Sequence, residues 1–120
     1  MKSKEESLVR QKAIGFAVRI VNLYKHLNEK QEFVMSKQIL RSGTSVGANI
    51  HEAIYAQSIH DFIHKMSIAL KEAAETEYWL LILKETGYID EAAFHSMNNQ
   101  CLELVKMLAS IVKTSKENAH

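Results

Sequence analysis

The chain has 120 residues, 47% hydrophobic and 24% charged, with no proline, four glycines, one cysteine and a formal net charge of +1. That length holds one domain able to bury a core without metals or disulfides, and the composition excludes a disordered chain. The net charge excludes a polybasic protein, and the lone Cys101 excludes an internal disulfide, which fits a reducing compartment.

Residues 1–7 lead into no signal-peptide run, and no apolar stretch approaches the roughly 20 residues needed to span a membrane. A cytoplasmic protein with no membrane partner is therefore expected. Charge is unevenly placed along the chain. Up to Ser58 nine Lys/Arg stand against five Asp/Glu, a balance of +4; from Ile59 onward six stand against nine, a balance of −3. The first half is the expected face for a polyanion.

With so little to break helices, the chain reads as all-α. Four helices are expected at about 5–27, 36–57, 59–86 and 90–115, in one domain over residues 1–120 with ragged ends at about 1–5 and 117–120. Short turns between them imply an antiparallel up-down-up-down four-helix bundle. In the first helix Phe16, Ile20, Leu23 and Leu27 form one apolar row, with Ala13, Ala17, Val21 and Tyr24 beside it. That arc is wider than the roughly 100° stripe of a surface helix.

The second helix should start at Ser36 as N-cap. Its stretch Gln38–Glu52, QILRSGTSVGANIHE, is weak by propensity, because glycine costs about 1 kcal/mol against alanine and Ser, Thr and Asn compete for backbone hydrogen bonds. Its small residues, Gly43 and Gly47 above all, would let a neighbouring helix come close. Gly43 could instead break the helix in two, but the helical period of Ile39, Val46 and Ile50 runs through it.

The third helix opens on Ser58-Ile-His-Asp61, in which the two ends of the first turn cap each other, and stops at Gly87. Near its end Tyr78 to Leu83 are six consecutive apolar or aromatic residues. These point all round the helix, so the run is either wrapped by the other three helices or turned toward another subunit. The fourth helix begins at Asp90 and buries Phe94, Met97, Cys101, Leu104 and Leu108.

Few constellations suggest chemistry. His60 and His64 share a helix face with Asp61 between them, and His51-Glu52 precedes them, but the Glu-x-x-His pairs of a di-iron bundle are missing. No metal or other cofactor is expected. Ser42 and Ser45 have no nucleophile setting, and Cys101 lies on an apolar face where packing is the ordinary role. The spacing of Arg19 and His26 is reminiscent of some helical RNases, but Ile20 stands where those enzymes favour a polar residue. No catalytic residue is assigned.

Polar residues at helical spacing carry more. Arg41, Ser45, Asn49 and Glu52 line one side of the second helix, and Glu72, Glu75 and Tyr78 one side of the third. Antiparallel neighbours would bring Arg41 to Glu75 or Glu72. The row reads first as a register-fixing hydrogen-bond network and second as a strip contacting a polar ligand or RNA.

Gln38-Ile-Leu-Arg41-Ser42, Ser45-Val46 and Asn49-Ile50-x-Glu52, with Asp61-Phe62, Ser67-Ile68-Ala69, Glu75, Leu80 and Gly87-Tyr88-Ile89, resemble the 23S rRNA-intervening-sequence protein family over roughly residues 8 to 115. Ala53 replaces a usual glycine, and Lys71-Glu72 a common Gly-Ser. The resemblance implies an antiparallel four-helix bundle assembled as a homopentamer, with no established enzymatic activity. Some members are encoded within insertions in rRNA genes. Related accessory proteins of diversity-generating retroelements are basic pentameric barrels that bind nucleic acid and a reverse transcriptase.

The expectation is thus a non-enzymatic oligomer with Tyr78 and Trp79 in subunit contacts. Arg10, Lys12, Arg19, Lys25, Lys37 and Arg41 are candidate contacts to RNA or DNA. Arg41, Ser42, Ser45, Asn49, Glu52, Glu72 and Glu75 form the polar network. The alternative is a scaffold for a protein partner, without nucleic acid.

Overall fold

The computed structural model describes residues 3–119. Four helices make up the fold: α1 (Lys4–Glu29), α2 (Met35–Ala53), α3 (Ile59–Glu85) and α4 (Glu91–Asn118). The ends expected to be ragged are helical from Lys4 and as far as Asn118; residues 1, 2 and 120 of those ends lie outside the described residues.

Three helix starts follow local side-chain chemistry. The Ser3, Ser58 and Asp90 side chains accept from the backbone N–H groups of Glu6, Asp61 and Ala93 and so satisfy donors that a first turn leaves unpaired. The start of α2 departs from expectation. Ser36 lies inside the helix, fully buried, and the cap is the Glu32 carboxylate, which accepts from the N–H of Ser36 at 2.7 Å and of Val34 at 3.3 Å. A carboxylate at the positive end of a helix is favourable. α2 also stops at Ala53 rather than near 57, leaving 54–58 as a connector to α3.

α1 and α3 end in the same way. The N–H of Glu32 donates to Leu27 O and that of Tyr88 to Leu83 O, each at 2.9 Å, around a residue of positive φ. In the second case that residue is Gly87, φ 82°; in the first it is Gln31, φ 63°, which accepts the left-handed region despite its side chain.

The helices pack in a ring, α1 on α2, α2 on α3, α3 on α4 and α4 on α1, and among the described residues the backbones of diagonal helices stay farther apart. Every packed pair is antiparallel. Ser36 meets Asn28 and Gly43 meets Ile20 across α1–α2, while Glu52 meets Lys65 and Arg41 meets Glu72 across α2–α3. The bundle measures 49 × 21 × 19 Å. Its axis is filled by Phe16, Ile20, Leu27, Ile39, Ile50, Met66, Leu80, Leu83, Leu104 and Leu108, all essentially inaccessible.

The two glycines of α2 differ. A Cβ built on Gly43 would stand 2.7 Å from Ile20 Cγ1 and 2.8 Å from Cγ2, and Ile20 is itself fully buried. A Cβ on Gly47 would rest 3.6 Å from Ala13 Cβ, an ordinary contact. Only Gly43 is required for the approach of α1. Overpacking costs about 1–3 kcal/mol and outweighs the helix-propensity gain of about 1 kcal/mol, so Gly43→Ala lowers stability by up to about 2 kcal/mol. Gly47→Ala keeps the gain without the clash and leaves stability unchanged or raised. Urea unfolding of the two variants beside the parent measures this opposition.

Candidate functional site: the seam between the second and third helices

The polar rows meet where α2 and α3 pack. Arg41, at the solvent edge, donates through Nη1 to Glu72 Oε1 at 2.6 Å and through Nη2 to Glu75. Trp79 donates its indole N–H to the same Glu75 carboxylate at 2.9 Å. Beside them, on the core side, the hydroxyls of Ser42 and Thr76 sit 2.9 Å apart, and Thr76 donates to Glu72 O at 2.8 Å. At the far end Lys65 reaches Glu52 at 2.9 Å.

Ser45 and Asn49 stay within α2. The Asn49 amide donates to Ser45 O at 2.9 Å and to Ser45 Oγ at 3.0 Å. The seven residues singled out from the sequence therefore lie along one seam, with Arg41, Ser42 and Glu52 crossing it and Ser45 and Asn49 bonded to each other. Two crossing partners were missed, Thr76 and Lys65, and so was Trp79, which bonds Glu75 along α3. Thr76 sits in an otherwise apolar row, Lys65 stands apart from the acidic cluster, and Trp79 reads as packing. The signal for Lys65 is its height opposite Glu52 once the helices are set antiparallel.

The electrostatics follow from these contacts. The Arg41 guanidinium beside Glu75 and Glu72 is held above its ordinary pKa. The Glu75 carboxyl is held below the usual range, first by Arg41 and then by the Trp79 N–H. Lys65 is raised by Glu52. Every charge in the seam has an opposite partner, so the arrangement offers neither an unpaired base nor an activated nucleophile.

Other candidates lie apart from the seam. Arg19 is bound across α1–α4, donating to Gln100 Oε1 at 2.6 Å and Ser96 Oγ at 3.0 Å, and Lys12 pairs with Glu103 at 3.2 Å. Arg10, Lys25 and Lys37 form no ion pair among the described residues. Lys25 borders a shallow, mainly apolar groove of about 520 Å³ between α1 and α2. His60 and His64 are exposed, and among the described residues no three His, Cys, Asp or Glu groups converge as metal ligands. The Cys101 thiol donates to Ala73 O at 3.1 Å, and burial pushes its pKa up to about 12.

The run Tyr78–Leu83 divides. Leu80 and Leu83 are fully buried, Trp79 and Ile82 half-buried, and Tyr78 and Leu81 are 55% and 42% exposed. The other helices of one chain thus cover only one side of it. No described helix is long and apolar enough to cross a membrane.

Glu75 makes the seam sensitive to acid. Its folded pKa lies below its unfolded value, so its contribution is complete above the ordinary carboxyl pKa of about 4.3 and is lost as pH falls through the lower folded value. Because Arg41 is half-exposed, the pairing contributes no more than about 1 kcal/mol. Glu75→Gln is expected to be slightly less stable than the parent near neutral pH, with the gap closing below about pH 4. Thermal unfolding across that range checks the sign.

Comparison with known proteins completes the description. The family model described as 23S rRNA-intervening sequence protein matches residues 5–110. A crystal structure of a protein of unknown function from the S23 ribosomal protein family of Bacteroides thetaiotaomicron is 61% identical, covers 91% of this chain and 98% of its own, and superposes with a TM-score of 0.89. No curated protein matches.

Proposed function

The chain belongs to the 23S rRNA-intervening sequence protein family, and from that premise we propose that it is a non-enzymatic, cytoplasmic, oligomeric module that associates with RNA through cations repeated from copy to copy. The observation that carries this reading is the division of its surface. The half that builds α1 and α2 holds a charge of +4 and presents Arg10, Lys25 and Lys37 without ion pairs among the described residues, while the remainder holds −3.

The other three basic candidates have work inside the bundle: Lys12 with Glu103, Arg19 with Ser96 and Gln100, Arg41 with Glu72 and Glu75. Arg10 and Lys25 are fifteen residues apart on α1, about 22 Å at 1.5 Å per residue. One copy therefore reaches only a few phosphates, and useful affinity has to come from several copies acting together. An oligomer supplies that repetition, and the uncovered Tyr78 and Leu81, with Ile14 and Val18 on α1, supply apolar surface for it. The family resemblance points to five copies.

A second reading, a scaffold for another protein without nucleic acid, draws support from the apolar α1–α2 groove. Two measurements separate the readings. Light scattering at micromolar concentration is expected to give an oligomer, five chains by the family expectation. Binding to single-stranded and structured RNA is expected to weaken steeply with salt, and Arg10→Glu with Lys37→Glu to weaken it further at every sequence tested. An oligomer that binds no RNA at low salt would leave the scaffold reading.

A further inference from the structure

The turn between α1 and α2 holds its aromatic side chain out of the bundle. Phe33 is 53% exposed and Val34 beside it 73%, while Met35, the next residue, packs on the core. Single exposed apolar residues are ordinary on a protein surface. Phe33 differs in how firmly its backbone is fixed. On one side Glu32 is tied back to α1, its N–H donating to Leu27 O at 2.9 Å after Gln31 turns through left-handed backbone. On the other side the Glu32 carboxylate accepts from the N–H groups of Val34 and Ser36, and Val34 O accepts from Gln38 N–H as α2 begins. The ring therefore stands on a braced step, not on a loose loop.

Charge at this end of the bundle is divided as well. Its carboxylates are largely engaged. Glu32 is nearly covered and lies over the start of α2, and Asp90 accepts from Ala93 N–H at the start of α4, each offset by the positive end of a helix. Glu85 and Glu91 share Lys84. The lysines around Phe33 have no such partners. Lys30 stands three residues before it and Lys37 four after, both exposed and neither in an ion pair among the described residues. Lys25, equally unpaired, lies about a turn and a half below Lys30 on α1. Against these three, the flanks of the turn present Glu29 as their exposed, unpaired carboxylate among the described residues.

We propose that this turn is a stacking platform for single-stranded RNA, with an unpaired base lying on the Phe33 ring and Lys30 and Lys37 holding the phosphates to either side. Such a platform presupposes the RNA association proposed above and gives it a strand form and a contact residue. Every base has a π face, so stacking selects strandedness and tolerates any sequence. A duplex keeps its bases inside the helix and leaves only phosphates and sugars for the lysines to meet. An exposed aromatic ring among unpaired cations combines the two parts that single-strand grooves use. An anionic membrane would also attract lysines around an apolar tip. Phe33 and Val34 are, however, the only large apolar side chains exposed in the two turns at this end, far less than the helix face that surface anchoring uses.

Binding of a dye-labelled, mixed-sequence oligoribonucleotide, alone and annealed to its complement, tests the platform by fluorescence anisotropy. The parent chain is expected to favour the single strand. Phe33→Leu keeps apolar bulk but has no π face, and is expected to weaken single-strand binding at least about tenfold while leaving duplex binding and helicity by circular dichroism unchanged. Phe33→Trp is expected to restore the parent affinity, and its added indole emission, measured against the Trp79 background of the parent, to be quenched by the single strand. If Phe33→Leu binds single strands as tightly as the parent while Lys37→Glu binds them more weakly, the platform is overturned and the RNA reading stands. A parent that prefers the duplex overturns it in the same way. A parent that binds no RNA at low salt removes both, and one that then binds phosphatidylserine vesicles through Phe33 puts a membrane surface at the turn instead.

Discussion

The approach of α1 to α2 at Gly43 sets the frame for the rest of the molecule. With no side chain on Gly43, Ile20 lies directly against the backbone of α2 and fixes both the separation and the sliding position of the two helices. The neighbouring Ser42 then carries that register to α3 through Thr76, and Arg41, one residue earlier, carries it to Glu72 and Glu75. A stretch of poor intrinsic helix formers is thus helical because tertiary contacts hold it, the usual situation when propensity and packing disagree. Shifting α2 by one residue would break the apolar contact and the polar contacts together. The polar seam repeats in hydrogen bonds the register that the Ile20–Gly43 contact sets by packing.

The same seam shows what the most distinctive residues of the chain are engaged in: they are bonded to one another across and along α2 and α3. Arg41 is shared between Glu72 and Glu75, and the hydroxyls of Ser42 and Thr76 are bonded to each other away from solvent. Groups bonded in this way hold α2 against α3. What remains available lies elsewhere, in the cations of α1 and α2 and in the apolar edges that a single bundle leaves uncovered.

Much of this was legible in the sequence because helices announce themselves locally. Missing prolines, the caps at Ser58 and Asp90 and the stop at Gly87 placed the elements within a few residues. The antiparallel order followed from short connections, and it brought Arg41 to Glu72 and Glu75 as the spacing required. The failures share a cause, since each depends on a neighbour distant in the chain or on a side chain in an unusual role. Ser36 resembles a cap, yet Glu32 is held over the helix start by the turn that Gln31 makes in left-handed backbone. The roles of Gly43 and Gly47 looked alike until Ile20 and Ala13 were seen opposite them. Arg19 and Lys12 looked available because nothing nearby in sequence marks Gln100, Ser96 or Glu103 as their partners.

The buried Cys101 has an experimental consequence. Its sulfur lies between α3 and α4, wholly covered and bonded to Ala73, and its high pKa keeps it in the unreactive thiol form. A thiol reagent therefore meets it only in states where those two helices have parted. The molecule carries a built-in clock for its own opening. The rate at which that one sulfur is labelled reads how often α3 and α4 separate, without any residue being changed.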